Sequence, residues 1–583
     1  MAEQILSPGV FQNESDQSLV SQGIQGTSTA VVGPTVLGQP YVPTYVTSYS
    51  EYTSKFGETF KSGSYYYEYF TSMAARDFFQ NGGQTLLVTR IISDSGSTSV
   101  STYASASVNA FGYLPNTPLT SSFQLETLAW GNEMNNTSSI STGGALPSGS
   151  GKNVRWEVTQ VSPTLGTFTL AIRQGDDNVA QPNYIETWSN LSLDPAQPNF
   201  ISRVIGDIKP VYRVDVDGSP YIDYTGSYAN ASQFVRIKSV TIPQIDSIDN
   251  SGAYKAAQYS GSLPATGSGS FGGSFAGGLV ATTTEQLMNE NITATNIQGF
   301  SGPNYTAAFN LLANKDDYRF NVLLAPGISF DTTGNALSTM ISTAEGRGDA
   351  IALVDTKKYG AVVSTAATAA AGQNSNYAAT YWPWIQLYSS GLGKTVWAPP
   401  TTVMGGVLAF NDQVGAEWFA PAGLNRGGVP SVLRAERKLT QNDRDTLYNA
   451  NVNPLATFPG NGVVVFGQKT LQKKSTALDR VNVRRLLIAL KDFIGQVGNN
   501  LVFEQNTAVT RNRFLSQVNP YLDSVVQRQG LYAYKVVMDE SNNTPDVIDR
   551  NQLVGQIYIQ PTKTAEFIIL NFNVLPTGAT FPA

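Results

Sequence analysis

The sequence predicts a multidomain α+β protein: a discontinuous mixed α/β core, β-rich insertions lying outside it, and extended arms at both termini. Three observations predict this class. Strand–helix–strand patterns occur early in the chain and return around Tyr318, and such patterns build parallel sheets with right-handed crossovers. Between them the composition shifts at Ser93 to Ser/Thr- and Gly-rich text carrying short alternating strands. The first 26 residues are polar and aperiodic, whereas an apolar strand, EFIILNFNV, lies near the other end.

Taken in order, residues 1–26 are an N-terminal arm, read either as a frayed terminus or as a segment that orders against a partner. Residues 27–93 are the first part of the core. TAVVG and Thr85–Ile92 read as buried strands, and YYYEYFTSMAARDFFQNGG between them as a helix closed by a Gly pair, with aromatics at Tyr66, Tyr69, Phe70, Phe78 and Phe79. Residues 94–295 are one or two inserted β-rich outer domains. NVRWEVTQV and GTFTLAIRQGDD pair there, YRVDVDGSPYIDY is a hairpin around Asp217-Gly218, and the uncharged stretch Ala256–Thr284 is a linker or a set of tight turns.

Residues 296–450 return to the core. YRFNVLLAPG is a strand ending at Pro326-Gly327, ALSTMISTAEGRG a helix, and DAIALVDT a strand parallel to the first. Crevices at the ends of such strands often hold nucleotides, but the turn lacks GxGxxG. Residues 451–560 form a C-terminal domain. Thr476 and Asp479 give a capping-box pattern, after which Val483, Leu486, Leu487, Leu490, Ile494 and Val497 share a helical face. Burying that face contributes a gross term on the order of 10 kcal/mol before entropy. A second helix kinks near Pro520 and ends at Gly530, and LYAYKVVM and LVGQIYIQ are strands. Residues 561–583 are a C-terminal arm. Ile568, Leu570, Phe572 and Val574 line one side of its strand, Phe567 and Ile569 begin the other, and so apolar a strand needs a surface to cover it.

Composition narrows the chemistry. The 583 residues include neither His nor Cys. This excludes imidazole bases, thiolate nucleophiles, disulfides and thiolate metal sites. No cofactor is expected. Charged residues are 14% of the chain, 37 basic against 43 acidic, which gives no general attraction to nucleic acid or anionic lipid. No stretch is apolar enough to insert into a membrane, and the start, MAEQILSPGV, has no signal-peptide pattern.

Short motifs are structural. GLGKT at Gly391–Thr395 fails as a P-loop, because Tyr388 stands where the first glycine belongs and VWAPP follows. DVDG at Asp215–Gly218 is a turn and not a calcium loop. The acid pairs Asp316-Asp317, Asp443/Asp445 and Asp539-Glu540 sit in polar text, and YWPW at Tyr381–Trp384 has no acid beside it. One basic run stands out: Lys469, Lys473, Lys474, Arg480, Arg484, Arg485 and Lys491, with the single acid Asp479. Arg480, Arg484 and Lys491 share a helix face, which is either solvated, engaged in pairing within the subunit, or offered to an acidic partner.

Several segments, in order, resemble the contractile tail sheath proteins of bacteriophages. They are SPGV with GTSTAVVGPTVLGQPYVPTYVTSYSEYTSKFG, ETWSNLSLDPAQPNFISRVI, NVLLAPG, YWPWIQLY, VWAPPTTVMGGVLAFND, WFAPAGLNRG, NVNPLATFPGNGVVVFGQKTL, VNVRRLLIALKDFI, VFEQN and VIDRNQLVGQIYIQPTKTAEFIILNF. VVFGQKT departs from the family's usual version, and residues 94–155 and 225–295 do not align with it.

The resemblance implies a non-enzymatic subunit that polymerises in sixfold rings, stacked helically around a tail tube. Contraction then drives the tube through the bacterial envelope for genome delivery. It implies core domains inside, inserted domains outside, and terminal arms that add strands to neighbouring sheets, with Phe567, Ile568, Ile569, Leu570, Phe572 and Val574 as the exchanged strand. The basic run is the candidate tube contact. Implied partners are copies of the chain, the tube protein, and baseplate and tail terminator proteins, without direct nucleic-acid binding. The location is the virion tail, assembled in the host cytoplasm. The alternatives are a non-contractile virion protein or a carboxylate-dependent glycan hydrolase. Lacking imidazole, contraction is expected to be triggered mechanically and not by pH near neutrality.

Overall fold

A computed structural model describes residues 28–62, 65–92, 103–109, 121–129, 153–162, 165–241, 250–251, 263–270, 292, 297–300, 302–332 and 335–566. The N-terminal arm and the strand Phe567–Val574 lie outside the described residues.

An eight-stranded sheet organises the core. Its order is Thr44–Val46, Thr85–Ile91, Ser28–Pro34, Val322–Ser329, Ile351–Asp355, Ala378–Trp382, Val452–Phe458 and Gly462–Val465. The six inner strands are parallel, and each outermost strand is antiparallel to its neighbour. Ser28–Pro34 therefore lies between a strand from the first 93 residues and one that begins at residue 322. Val322–Ser329 is buried at every position, so both faces need cover. The helices Phe70–Gln80 and Thr401–Val414 pack together and on these strands, and Gly302–Leu312 and Ala336–Arg347 form a second pair.

Two local expectations change and one helix is added. Tyr65–Glu68 is a strand paired with Thr59–Ser62, and the helix starts only at Phe70. Consecutive tyrosines favour the extended state, so β-propensity outweighs the helical reading. An additional helix, Tyr49–Phe56, precedes it; Ser48 Oγ accepts from Glu51 N at 3.1 Å and Glu51 accepts from Thr47 N at 2.8 Å. The strand from Val322 does not end at Pro326-Gly327 but continues to Ser329. The ladder to Ile351–Asp355 shifts register there, and Gly327, at φ 95°, donates its N–H to Asp355 at 2.8 Å. Only glycine adopts that backbone readily, so Pro-Gly makes a bulge and not a stop.

Part of the chain between the two core segments builds a second hydrophobic cluster. A sheet of order Tyr184–Ser192, Thr167–Gln174, Val154–Ser162, Gly267–Ser270 shares this cluster with a sheet of order Val235–Val240, Ser121–Thr127, Ser105–Asn109. The Phe123 and Phe168 rings stack with centroids 5.5 Å apart. Lys209–Val214 and Pro220–Thr225 form the hairpin around Asp217-Gly218, and Tyr212 reaches Tyr41 of the core at 5.7 Å. Of Ala256–Thr284, only residues 263–270 are described.

A third cluster joins the helices Val481–Asn499 and Ala508–Gln527 to the hairpin Leu531–Val537/Gln556–Pro561. Thr476 caps a single 3₁₀ turn, Ala477–Asp479, and the long helix begins at Val481 with Arg480 as its N-cap. Its first four residues and Leu486 are buried, whereas Leu487 and Ile494 are half-buried. Thr507 caps the second helix, which runs through Pro520.

Gly406 lets the helices Phe70–Gln80 and Thr401–Val414 approach, since a Cβ there would sit 2.9 Å from the Asp77 carbonyl oxygen. Gly406→Val should lower stability by about 1–3 kcal/mol through overpacking. Gly346→Ala, in a helix with open space around it, should be neutral or stabilise by about 0.4–1 kcal/mol. Denaturant midpoints of the two variants check both.

Candidate functional site

The C-terminal segment is fastened to the core at the point where its apolar part begins. After the hairpin strand Gln556–Pro561, Thr562 N bonds Gly530 O at 3.1 Å, and the chain then crosses residues 448–480. Gln468 Nε2 donates to Thr564 Oγ1 at 2.7 Å and to Glu566 Oε1 at 3.0 Å. Arg480 grips the same carboxylate with both edges of its guanidinium, Nε to Oε1 at 2.7 Å and Nη2 to Oε2 at 3.0 Å. The Tyr448 hydroxyl also donates to Oε2. Four donors on one half-buried carboxylate form a bidentate, charge-assisted clamp.

Local backbone geometry sets the clamp. Lys469 and Arg480 form an antiparallel bridge. Asn453 fixes it from the sheet, accepting from Lys469 N at 2.6 Å and donating to its carbonyl at 2.8 Å. Lys469 Nζ lies 4.1 Å from the Tyr448 ring centroid and donates to the Tyr448 carbonyl at 2.8 Å. Burial alone would raise the Glu566 pKa, but the bonds from Arg480, Tyr448 and Gln468 outweigh it and hold the carboxyl below its ordinary 4.5. Burial, then the Arg480 charge, holds the Lys469 ammonium below its ordinary value.

The seven cations of the basic run separate into three groups. Lys469 and Arg480 belong to the clamp. Arg484 and Arg485 are buried: Arg485 pairs with Asp412 at 2.8 and 2.5 Å, and Arg484 bonds Asn376 Oδ1 at 2.7 Å with its guanidinium 4.0 Å from the Tyr377 ring centroid. Lys473, Lys474 and Lys491 are exposed, and Lys491 reaches the Tyr377 hydroxyl at 3.1 Å. Arg484 and Lys491 thus do share a face, centred on Tyr377, while Arg480 points to Glu566. Glu566, Tyr448, Gln468, Tyr377 and Asp412 were not found from sequence. The one signal was Glu566 itself, an acid immediately before the apolar strand in a chain with an unbalanced basic run.

Acid–base candidates lie elsewhere. Burial raises Asp355 and Asp77 to about 7. Their oxygens serve the fold: Asp355 accepts from Thr401 N at 2.9 Å and Thr401 Oγ1 at 2.6 Å, capping the helix that starts there, and Asp77 accepts from Ser431 Oγ at 2.6 Å. GLGKT spans the turn between the paired strands Ile385–Ser389 and Lys394–Ala398. Among the described residues, no group of three or more Asp or Glu comes together as a metal site would require.

Two tests follow from this geometry. Removing one partner of a buried pair leaves the other uncompensated, so Arg485→Gln should cost about 3–5 kcal/mol, whereas Lys473→Gln should stay within roughly 0.5 kcal/mol; thermal unfolding separates them. Because the Glu566 pKa is depressed when docked, docking is fully supported above its ordinary 4.5 and weakens as pH falls through the lower docked value. The chain has no Cys, so a single fluorophore at Ala565→Cys reads this directly. Glu566→Gln should undock the segment by about 1–3 kcal/mol and abolish the acid transition.

Comparison with known proteins places these elements. The phage tail sheath protein central domain matches residues 298–471, and the phage tail sheath C-terminal domain matches residues 473–575. The tail sheath protein of Vibrio phage KVP40 is 41% identical over 185 residues, and that of Enterobacteria phage T4 is 40% identical over 185 residues. Each match covers 32% of this chain and 28% of the relative, so less than a third of the relatives' length is spanned. The crystal structure of a sheath tail protein from Listeria innocua shares the fold, with TM-score 0.52 at 10% identity over 92% of this chain and 95% of that one. Residues 298–471 and 473–575 are thus similar to the central and C-terminal domains of phage tail sheath proteins.

Proposed function

We propose that the chain is the structural subunit of a contractile phage tail sheath. It polymerises around a tail tube and contracts to drive the tube through the bacterial envelope, without bond chemistry of its own. The carrying observation is the Glu566 clamp inside a sheath C-terminal domain. A carboxylate held by Arg480, Tyr448 and Gln468 fixes the root of the segment, so a pull on Phe567–Val574 from a neighbouring copy is delivered to the central sheet. The strand Phe567, Ile568, Ile569, Leu570, Phe572 and Val574 is the exchanged element, adding main-chain hydrogen bonds and buried side chains to another subunit. Small packing differences between two states then sum along the polymer.

Of the basic run, Lys473, Lys474 and Lys491 are the tube-facing charges in this reading, because they are exposed whereas Lys469, Arg480, Arg484 and Arg485 are held in buried or half-buried contacts within the subunit. Exposed ion pairs are weak and release cheaply, which suits a contact that must be broken during contraction. Baseplate and terminator proteins are the remaining partners at the two ends of the polymer. The location is the virion tail, assembled in the host cytoplasm.

Deletion of residues 567–583 tests this. The expected product keeps the unfolding transition of the full chain but forms no tubes in negative-stain micrographs, whereas the full chain does. Normal tubes from the truncated chain would refute strand exchange. Lys473→Gln with Lys474→Gln should weaken tube-templated assembly and flatten its salt dependence while leaving self-assembly intact.

A further inference from the structure

The second cluster carries a cleft that the sheath reading does not use. Its floor is an ion pair withdrawn from water: Arg236 Nε donates to Glu126 Oε2 at 2.8 Å, and the two side chains are 1% and 4% exposed. Glu126 holds a second cation, Lys209, whose Nζ lies 3.2 Å from Oε1 and remains 37% exposed. Both cations also lie against the Tyr103 ring, at 4.4 Å for Arg236 and 4.9 Å for Lys209. One carboxylate thus answers two positive charges.

The wall adds a third. Lys238 lines the cleft and is exposed. The ladder between Val235–Val240 and Ser121–Thr127 shifts register between Ile237 and Ser239, so Lys238 sits at a β-bulge two residues beyond Arg236. Bulges re-aim side chains and concentrate at binding sites. The other lining acid, Asp207, has one oxygen committed to Ser227 N at 2.8 Å and Tyr228 N at 2.7 Å. Lining charges are Lys209, Arg236 and Lys238 against Glu126 and Asp207, a net of +1. Phe200 and Tyr228 supply an aromatic wall, with ring centroids 6.2 Å apart.

We propose that this cleft binds a small anionic group, a phosphate or carboxylate on a compact ligand. Lys209 and Lys238 make the direct contacts, and Glu126, held by Arg236, orients Lys209. A desolvated guanidinium at the floor and two lysine ammonium groups in the lining give an anion charge-assisted bonds in a partly water-excluded setting. The aromatic wall suits a ligand whose charged group is attached to a ring. The inference rests on the cleft alone and is independent of the sheath reading.

Titration of the full chain with inorganic phosphate and with glucuronate, against glucose as a neutral control, tests it by calorimetry. Saturable binding of at least one anion and none of glucose is expected. Lys238→Gln should weaken that binding about tenfold, the loss of one charge-assisted bond, and Lys238→Arg should restore it. The stronger of the two anions tells a phosphorylated ligand from a carboxylated one. Absence of saturable binding by either anion, or binding unchanged in Lys238→Gln, would overturn the assignment. Lys238 is exposed, and matching unfolding curves confirm that the variant is folded.

Discussion

Burial of the central sheet on both faces is the constraint from which the rest of the core follows. Val31, Val32, Leu323, Leu353 and Ala379 have no exposure to solvent. Each large apolar side chain among them contributes about 1.5–3 kcal/mol only while helices cover both sides. That requirement explains the paired helices, the close approach at Gly406 and the antiparallel strands that close the two edges. It also explains the carboxyl of Asp355. A helix whose N-terminus is buried at a strand end needs its N–H groups satisfied, and Asp355 supplies the acceptor from the adjoining strand.

Charge is scarce in this chain, and much of it is spent inside. Arg347 bonds the carbonyls of Leu312 and Tyr318, Arg485 pairs with Asp412, and Arg76 joins Glu58 and Glu68. Such pairs specify which segments meet more than they add net stability, because desolvation offsets their attraction. The Arg480–Glu566 pair follows the same logic at a chain exit. A single carboxylate determines where the segment leaves the body, and the side chains that hold it come from residues 448, 468 and 480.

The large periodic elements were legible because a local pattern sufficed: Ser28–Pro34, Thr85–Ile91, Ile351–Asp355, the hairpin at Asp217-Gly218 and both C-terminal helices. What was not legible depended on non-local contacts. Tyr65–Glu68 looked helical until its pairing with Thr59–Ser62 was in place. The basic run looked uniform along the sequence, yet burial separates Arg485 from Lys473, and only the fold supplies Asp412 from 73 residues away. The clamp joins residues 86 and 118 positions apart, a separation that no motif encodes. The absence of His suggested insensitivity to pH near neutrality. Yet burial places Asp77 and Asp355 at about 7, so carboxyls can titrate in the range usually left to imidazole.

The position of Ser28–Pro34 has a consequence for synthesis. One of its two neighbours, Thr85–Ile91, emerges from the ribosome soon after it, but the other begins at Val322. At about 5–20 residues per second, the intervening chain of about 230 residues takes roughly 10–50 s to make. For that interval, a strand of buried side chains presents an unpaired edge, and edges of that kind recruit other chains. During translation the nascent chain must be shielded, either by its own inserted segments folding first or by a chaperone. An edge left open for that interval is a liability that the order of synthesis builds into this sheet.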